Sequence, residues 1–205
     1  GVDRISINPQ TMKEQTLKII GRQHTVEQVR QAFYMAREVG FTNINMDIIL
    51  GLPDESPEDV KDTMEEIKKL HPDSLTIHTL AIKRASKMNQ WMEEHGRVDT
   101  KATDLAMEYA TKAAREMDME AYYLYRQKNM SGNLENTGYA TKGNSGIYNI
   151  LIMEEKQTIV ALGAGSISKV LYQDGRIERK DNVKDVDQYL SRIDEMLDRK
   201  RELLK

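Results

Sequence analysis

The chain has 205 residues, 39% of them hydrophobic and 31% charged, with a formal net charge of −3. It is too apolar for a disordered tail and too evenly charged for a general nucleic-acid binder, and no apolar run reaches the ~20 residues that span a bilayer. With no cysteine, these residues exclude disulfides, thiolate zinc sites, cysteine nucleophiles and cysteine-held iron–sulfur clusters, and a cysteine-free chain rich in Lys and Glu suits the cytoplasm.

Val2 to Asn8 alternates, with Ile5 and Ile7 on one side and Arg4 and Ser6 on the other, which predicts a strand. The chain opens directly into this pattern, as expected of a fragment that continues upstream. Thr11 and Glu14 have capping-box spacing, so a short helix is expected to run to Ile20 before Gly21. Thr25 and Gln28 repeat the signal, and Val26, Val29, Phe33 and Ala36 make one apolar helical face that ends at Gly40. Asn43 to Leu50 predicts the second strand. The loop Gly51-Leu52-Pro53-Asp54-Glu55 leads to Ser56-Pro57, an N-cap followed by proline at the first helical position. Val60, Met64 and Ile67 line that helix. His71-Pro72-Asp73 ends it, and Ser74 to Ile82 reads as the third strand.

Strand, helix, strand, helix, strand with short connections predicts an α/β fold with parallel strands. Ligands in such folds gather at the C-terminal strand ends, here Asn8 to Gln10, Asp47 to Gly51 and Thr79 to Lys83. The pattern differs in the second half, which divides the chain into residues 1–84 and 85–205. In the second part, Lys87 to His95 suggests a short helix. Thr103 to Met117 predicts a clear one with Leu105, Tyr109, Ala113 and Met117 on one face. Ala121 to Tyr125 is strand-like, and Gln127 to Gly146 reads as a long loop rich in Gly, Asn and Ser. Ile147 to Met153 and Thr158 to Leu162 suggest a hairpin. Ser168 to Tyr172 and Arg176 to Arg179 suggest another around Asp174-Gly175. A final helix from Asp185 to Leu204 is expected to bury Val186, Tyr189, Leu190, Ile193, Met196 and Leu197.

In the second strand, Ile44, Met46, Ile48 and Leu50 face one side, and Asn43, Asn45, Asp47 and Ile49 the other. If the apolar side lies under helices, Asp47 faces the interior of a barrel. A carboxylate there is costly unless paired or bonded to a ligand, so Asp47 is either a satisfied structural partner or a ligand contact. Gln10 lies at the end of the first strand, where a turn residue is the plainer reading. Arg22 is either a carboxylate partner or a solvated surface group. Gly163-Ala164-Gly165-Ser166 allows close backbone approach to a ligand, but tight turns use the same residues. Tyr122 to Asn129 mixes aromatics and cations suited to a flat polyanion, although tyrosines packing an edge strand with a charged tip explain it more simply. His24, His71, His78 and His95 lack the spacing of a zinc site.

Taken together, Gly1-Val2-Asp3-Arg4-Ile5-Ser6, Pro9-Gln10, Gly21-Arg22, Asp47-Ile48-Ile49-Leu50-Gly51-Leu52-Pro53, Leu70-His71-Pro72-Asp73 and Thr79-Leu80-Ala81 resemble the oxygen-independent coproporphyrinogen III oxidase family of radical S-adenosylmethionine (SAM) enzymes. Tyr125-Arg126-Gln127-Lys128-Asn129-Met130, with Gly132-Asn133-Leu134-Glu135-Asn136 and Gly138-Tyr139, is similar to its HemZ type. The resemblance implies the second half of a partial parallel (β/α) radical SAM barrel, then an α+β region with antiparallel hairpins and a final helix. It implies anaerobic oxidative decarboxylation of coproporphyrinogen III to protoporphyrinogen IX in heme biosynthesis. The cofactors would be SAM and a [4Fe–4S] cluster whose cysteines lie upstream, leaving the fragment alone inactive. Carried onto this sequence, the SAM contacts are Gln10, Arg22, Asp47, Ile49 and Ala81, with Gly163 and Gly165 at a Gly-rich strand end near a SAM. Arg126 and Lys128 would meet substrate carboxylates. A heme-binding chaperone and a radical SAM enzyme with another substrate, such as a methyltransferase, are the alternatives. An open barrel half exposes a strand edge through which copies could pair. The electron donor is left open.

Overall fold

β2 (Asn43–Leu50) shows the expected alternation in its burial: Ile44, Met46, Ile48 and Leu50 are completely enclosed. In the computed structural model, which describes residues 2–80, 100–125 and 135–205, it lies between β1 (Arg4–Ser6) and β3 (Ser74–Thr79), parallel to both. The first unit, Gly1–Gly146, is built on a five-stranded sheet of order β1-β2-β3-β5-β4. Here β4 is Glu120–Tyr125 and β5 is Asn136–Ala140, and both β5 pairings, with β3 and with β4, are antiparallel.

Short helix α1 (Glu14–Ile19) follows β1, and α2 (Val26–Glu38), α3 (Pro57–Leu70) and α4 (Thr100–Glu116) cover the apolar side of the sheet. Both expected caps at α2 and α3 form: Thr25 with Gln28, and Ser56 with Asp59, each exchange reciprocal hydrogen bonds, and Pro57 opens α3. Val29, Phe33 and Ala36 of α2 and Val60, Met64 and Ile67 of α3 enter the core. The buried face of α4 differs from expectation. Ala106, Ala110, Ala113, Ala114 and Met117 are buried, while Leu105 is exposed. A stripe of alanines lets a helix lie close against its neighbours, so the larger side chain turns outward.

The capping box expected at Thr11 and Glu14 does not form. Lys13 occupies the N-cap position without a side-chain cap. Thr11 instead donates to Glu55, and the Glu14 carboxylate accepts from the Val26 amide of α2 at 2.7 Å. The residues read as one long loop also contain β5, which is buried throughout between β3 and β4. Its strand pairing is set by remote partners, which a Gly- and Asn-rich local sequence does not reveal. Residues 100–140 thus build on the same sheet as the first three strands. Ala81, Arg126, Lys128 and the helix expected at Lys87–His95 lie outside the described residues.

The second unit, Ile147–Lys205, contains α5 (Ile147–Met153), the hairpin β6 (Ile167–Leu171) and β7 (Ile177–Asp181), and helices α6 (Val186–Ser191) and α7 (Ile193–Leu203). Gly175 takes φ +83° in the hairpin turn, as the Asp-Gly pair requires. Two expectations change. Ile147–Met153 is a helix, not a strand, and Ile159 pairs with Lys169 beside β6 instead. A short apolar run does not by itself distinguish helix from strand. The terminal helix is interrupted at Arg192, which changes the phase of its faces. Met196, Lys200 and Leu203 are therefore buried, while Val186, Leu190, Ile193 and Leu197 are exposed.

Candidate functional site

The parity that sends Ile44, Met46, Ile48 and Leu50 into the helices sends Asn45, Asp47 and Ile49 to the opposite, inner face of the sheet. On β3 the same rule buries Leu75 and Ile77 under the helices and places Ser74, Thr76 and His78 on the inner face. The parallel register aligns Asn45 with Ser74, Asp47 with Thr76 and Ile49 with His78. Two adjacent strands thus present a polar inner surface opposite an apolar core.

These side chains form a connected network. Thr76 Oγ1 donates to Asn45 Oδ1 at 3.2 Å, and Asn45 Nδ2 donates to Asp47 Oδ1 at 2.6 Å and to Ser6 Oγ at 3.4 Å. Arg4 reaches Ser74 Oγ at 3.3 Å. His78 Nε2 stands 3.6 Å from Asp47 Oδ2. Burial pushes the Asp47 carboxyl up, but the facing His78 imidazole and the Asn45 amide outweigh it and hold the group below the usual carboxylate range. Its side chain is 22% exposed and that of His78 34%, so both reach solvent. Ile49 is also partly exposed.

Tyr123 closes one side of this surface. A bulge between Ala121 and Tyr123 re-aims β4, and the Tyr123 ring lies over Gly138 of β5. A Cβ at Gly138 would stand 1.9 Å from ring atom Cε1. Only glycine leaves room for the ring to cross the sheet there. Burial raises the Tyr123 phenol, while Thr76 acts in the opposite direction.

Gln10 joins this region through the backbone. Its N–H donates to Asp47 O at 3.0 Å and its carbonyl accepts from Ile49 N at 2.9 Å. It takes φ +67°, and its amide turns back onto Asn8 O at 3.4 Å. Arg22 is exposed in the turn between α1 and α2, and no hydrogen bond or ion pair joins it to Asp47 or Gln10 among the described residues. In the loop after β2, burial pushes the Glu55 carboxyl up to about 7, against the opposing effect of the Thr11 hydroxyl. Gly163 and Gly165 belong to the second unit and take φ +96° and +71°. Their N–H groups donate to Tyr189 Oη at 3.1 Å and Val183 O at 2.8 Å. Asn182 bonds both Gly163 O and Ser166 Oγ, and is itself held by buried Lys200 at 2.7 Å. This loop satisfies its own polar groups.

Asp47 and Ile49 were visible in the sequence. His78, Thr76 and Tyr123 were missed as parts of the same surface. For the first two the signal was present, since they share the two-residue period of β3. For Tyr123 it was not, because the bulge depends on a partner strand. The arrangement fits a ligand bearing donors. One Asp47 oxygen is engaged by Asn45 and the other is approached by one imidazole, which leaves acceptor capacity, and Ile49 supplies an apolar wall beside it.

The model of the radical SAM superfamily matches residues 1–67. The chain is 45% identical over 200 residues to the oxygen-independent coproporphyrinogen-III oxidase-like protein HemZ of Bacillus subtilis, covering 97% of this chain and 40% of that protein. It is 32% identical over 81 residues to oxygen-independent coproporphyrinogen III oxidase of Escherichia coli, covering 40% of this chain and 18% of the relative. It is 35% identical over 82 residues to the heme chaperone HemW of the same organism, covering 40% and 22%. The solved structure of coproporphyrinogen III oxidase (HemN) from Escherichia coli superimposes with a TM-score of 0.71 at 18% identity, covering 95% of this chain and 44% of that one. The chain thus spans less than half the length of each of these proteins. Residues 1–67 match the radical SAM superfamily, and the chain over most of its length is similar to the coproporphyrinogen-III oxidase-like protein HemZ.

Proposed function

We propose that this chain is part of a radical SAM enzyme that decarboxylates the propionate chains of coproporphyrinogen III anaerobically. The observation that carries the reading is the fixed Asp47 carboxylate on the polar inner face, in a chain 45% identical to HemZ. Each propionate-to-vinyl conversion removes one hydrogen atom, one CO2 and one electron. SAM, when bound and reductively cleaved, supplies the hydrogen-atom abstraction. The cluster that feeds it is held by cysteines outside these 205 residues, which contain none.

Within the chain, Asp47 accepts hydrogen bonds from SAM, Ile49 packs beside it, and Gln10 shapes the adjoining backbone. Arg22 and Ala81 complete the proposed cofactor contacts. Arg126 and Lys128 are assigned to substrate carboxylates, for which a guanidinium and an ammonium are suited. The test is anaerobic reconstitution of the whole protein with iron and sulfide, followed by reductant, SAM and coproporphyrinogen III. Protoporphyrinogen IX is the expected product, and SAM cleavage without it would refute the substrate assignment.

A second reading, heme carriage, draws on the 35% identity to the heme chaperone HemW. Soret-band titration of the same preparation separates the two. A saturable, stoichiometric heme complex without decarboxylation would favour the carrier.

A further inference from the structure

His78 is absorbed by none of the roles above. It stands at the C-terminal end of β3, on the inner face, with Nε2 3.6 Å from Asp47 Oδ2 and Ile49 as its cross-strand neighbour. Among the described residues no lysine or arginine pairs with Asp47, and the nearby Arg4 guanidinium is directed to Ser74. Asp47 Oδ1 is fixed by Asn45, which is fixed in turn by Thr76 and Ser6. A carboxylate anchored at one oxygen still pivots about that bond. The imidazole stands where it restrains the second oxygen, and it is the strongest influence lowering the Asp47 carboxyl.

We infer that His78 is a positioning residue for SAM binding: through Nε2 it orients the Asp47 carboxylate that receives the ligand. The inference rests on the reading of Asp47 as a SAM contact. Groups that fix a ligand-holding side chain from behind carry part of its affinity, because they remove its alternative orientations. His78 here does for Oδ2 what Asn45 does for Oδ1. Asn45 hydrogen-bonds Asp47 Oδ1 at 2.6 Å, and His78 Nε2 stands 3.6 Å from Oδ2.

The test is the affinity of the anaerobically reconstituted whole protein for SAM, measured by equilibrium dialysis without turnover. Three variants are compared: Asp47→Asn, His78→Gln and His78→Met. Gln and Met have similar length, and only Gln carries an N–H donor. A charge-assisted hydrogen bond is worth about tenfold in affinity. Asp47→Asn and His78→Met are therefore each expected to weaken SAM binding about tenfold, and His78→Gln to stay within about threefold of wild type. If Gln and Met weaken binding equally, or if neither does, while Asp47→Asn weakens it, the role of His78 is overturned and the reading of Asp47 stands. If Asp47→Asn binds SAM normally, that reading fails and the inference fails with it. Melting curves of the three variants confirm that folded protein is being compared.

Discussion

The two faces of β2 obey opposite chemistries within a single strand. Ile44, Met46, Ile48 and Leu50 face α2, α3 and α4 and are wholly buried, while Asn45, Asp47 and Ile49 face a surface of hydroxyl, amide, imidazole and carboxylate groups. The outer face holds the sheet against its helices by removing apolar area from water. The inner face keeps a partly desolvated carboxylate at the cost of arranging several partners around it. The first face sets stability, and under the proposed function the second receives a ligand. The largest effect should therefore come from the outer face. Met46→Ala opens a cavity among residues that cannot collapse to fill it and is expected to cost about 2–5 kcal/mol in urea unfolding. A loss below 1 kcal/mol would mean that this face is not the core it is taken to be.

The next effect lies just past the end of β2, where the strand leaves the sheet. Glu55 has its carboxyl raised to about 7 by burial. A raised carboxyl binds its proton more tightly in the folded chain than in the unfolded one. Its contribution to stability is complete below the unfolded value near 4.5 and is lost as pH rises through about 7. The loss is about 3 kcal/mol at most. Glu55→Gln keeps an acceptor for Thr11 and has no charge to bury. The variant is expected to match wild type at pH 4 and to be more stable at pH 8. Parallel melting temperatures at all pH values would show that Glu55 is not held neutral.

On the inner face, Gly138→Ala sets a methyl group against the Tyr123 ring. The ring must leave its place over the sheet, at a cost of about 1–3 kcal/mol. Tyr123→Ala removes the obstacle. The double variant is therefore expected to be no less stable than Tyr123→Ala alone, and a full additive loss would show that the two residues do not conflict.

How much of this was readable beforehand follows from how local each determinant is. Thr25 with Gln28, Ser56 with Pro57, and the two-residue period of Asn43–Leu50 each act within one turn or one strand, and all three formed as expected. The same period exposed Asp47 and Ile49 as inner-face residues. β5 was not readable, because its burial comes from β3 and β4 and its central Gly138 serves a tyrosine on another strand. Thr11 and Glu14 had capping spacing but found better partners in Glu55 and Val26. His78 looked isolated because its partner, Asp47, lies on the neighbouring strand.

The smallest stability effect sharpens the contrast most. Asp47 has its carboxyl lowered, with burial opposed and outweighed by His78 and Asn45. A lowered carboxyl contributes stability above the unfolded value, near 3.9, and that contribution disappears as pH falls through the folded value. Asp47→Asn retains the shape and an acceptor for the Asn45 amide. It is expected to cost about 1 kcal/mol or less at pH 7, the net worth of an ordinary hydrogen bond, and less at pH 3, below the unfolded value, where the wild-type contribution is already declining. A structural carboxylate, by contrast, would leave its partners unsatisfied when neutralised and cost several kcal/mol. Urea titrations at the two pH values decide between them. A small loss beside a large drop in SAM affinity would place Asp47 on the side of the ligand, because a group that serves the fold alone has no reason to separate those two measurements.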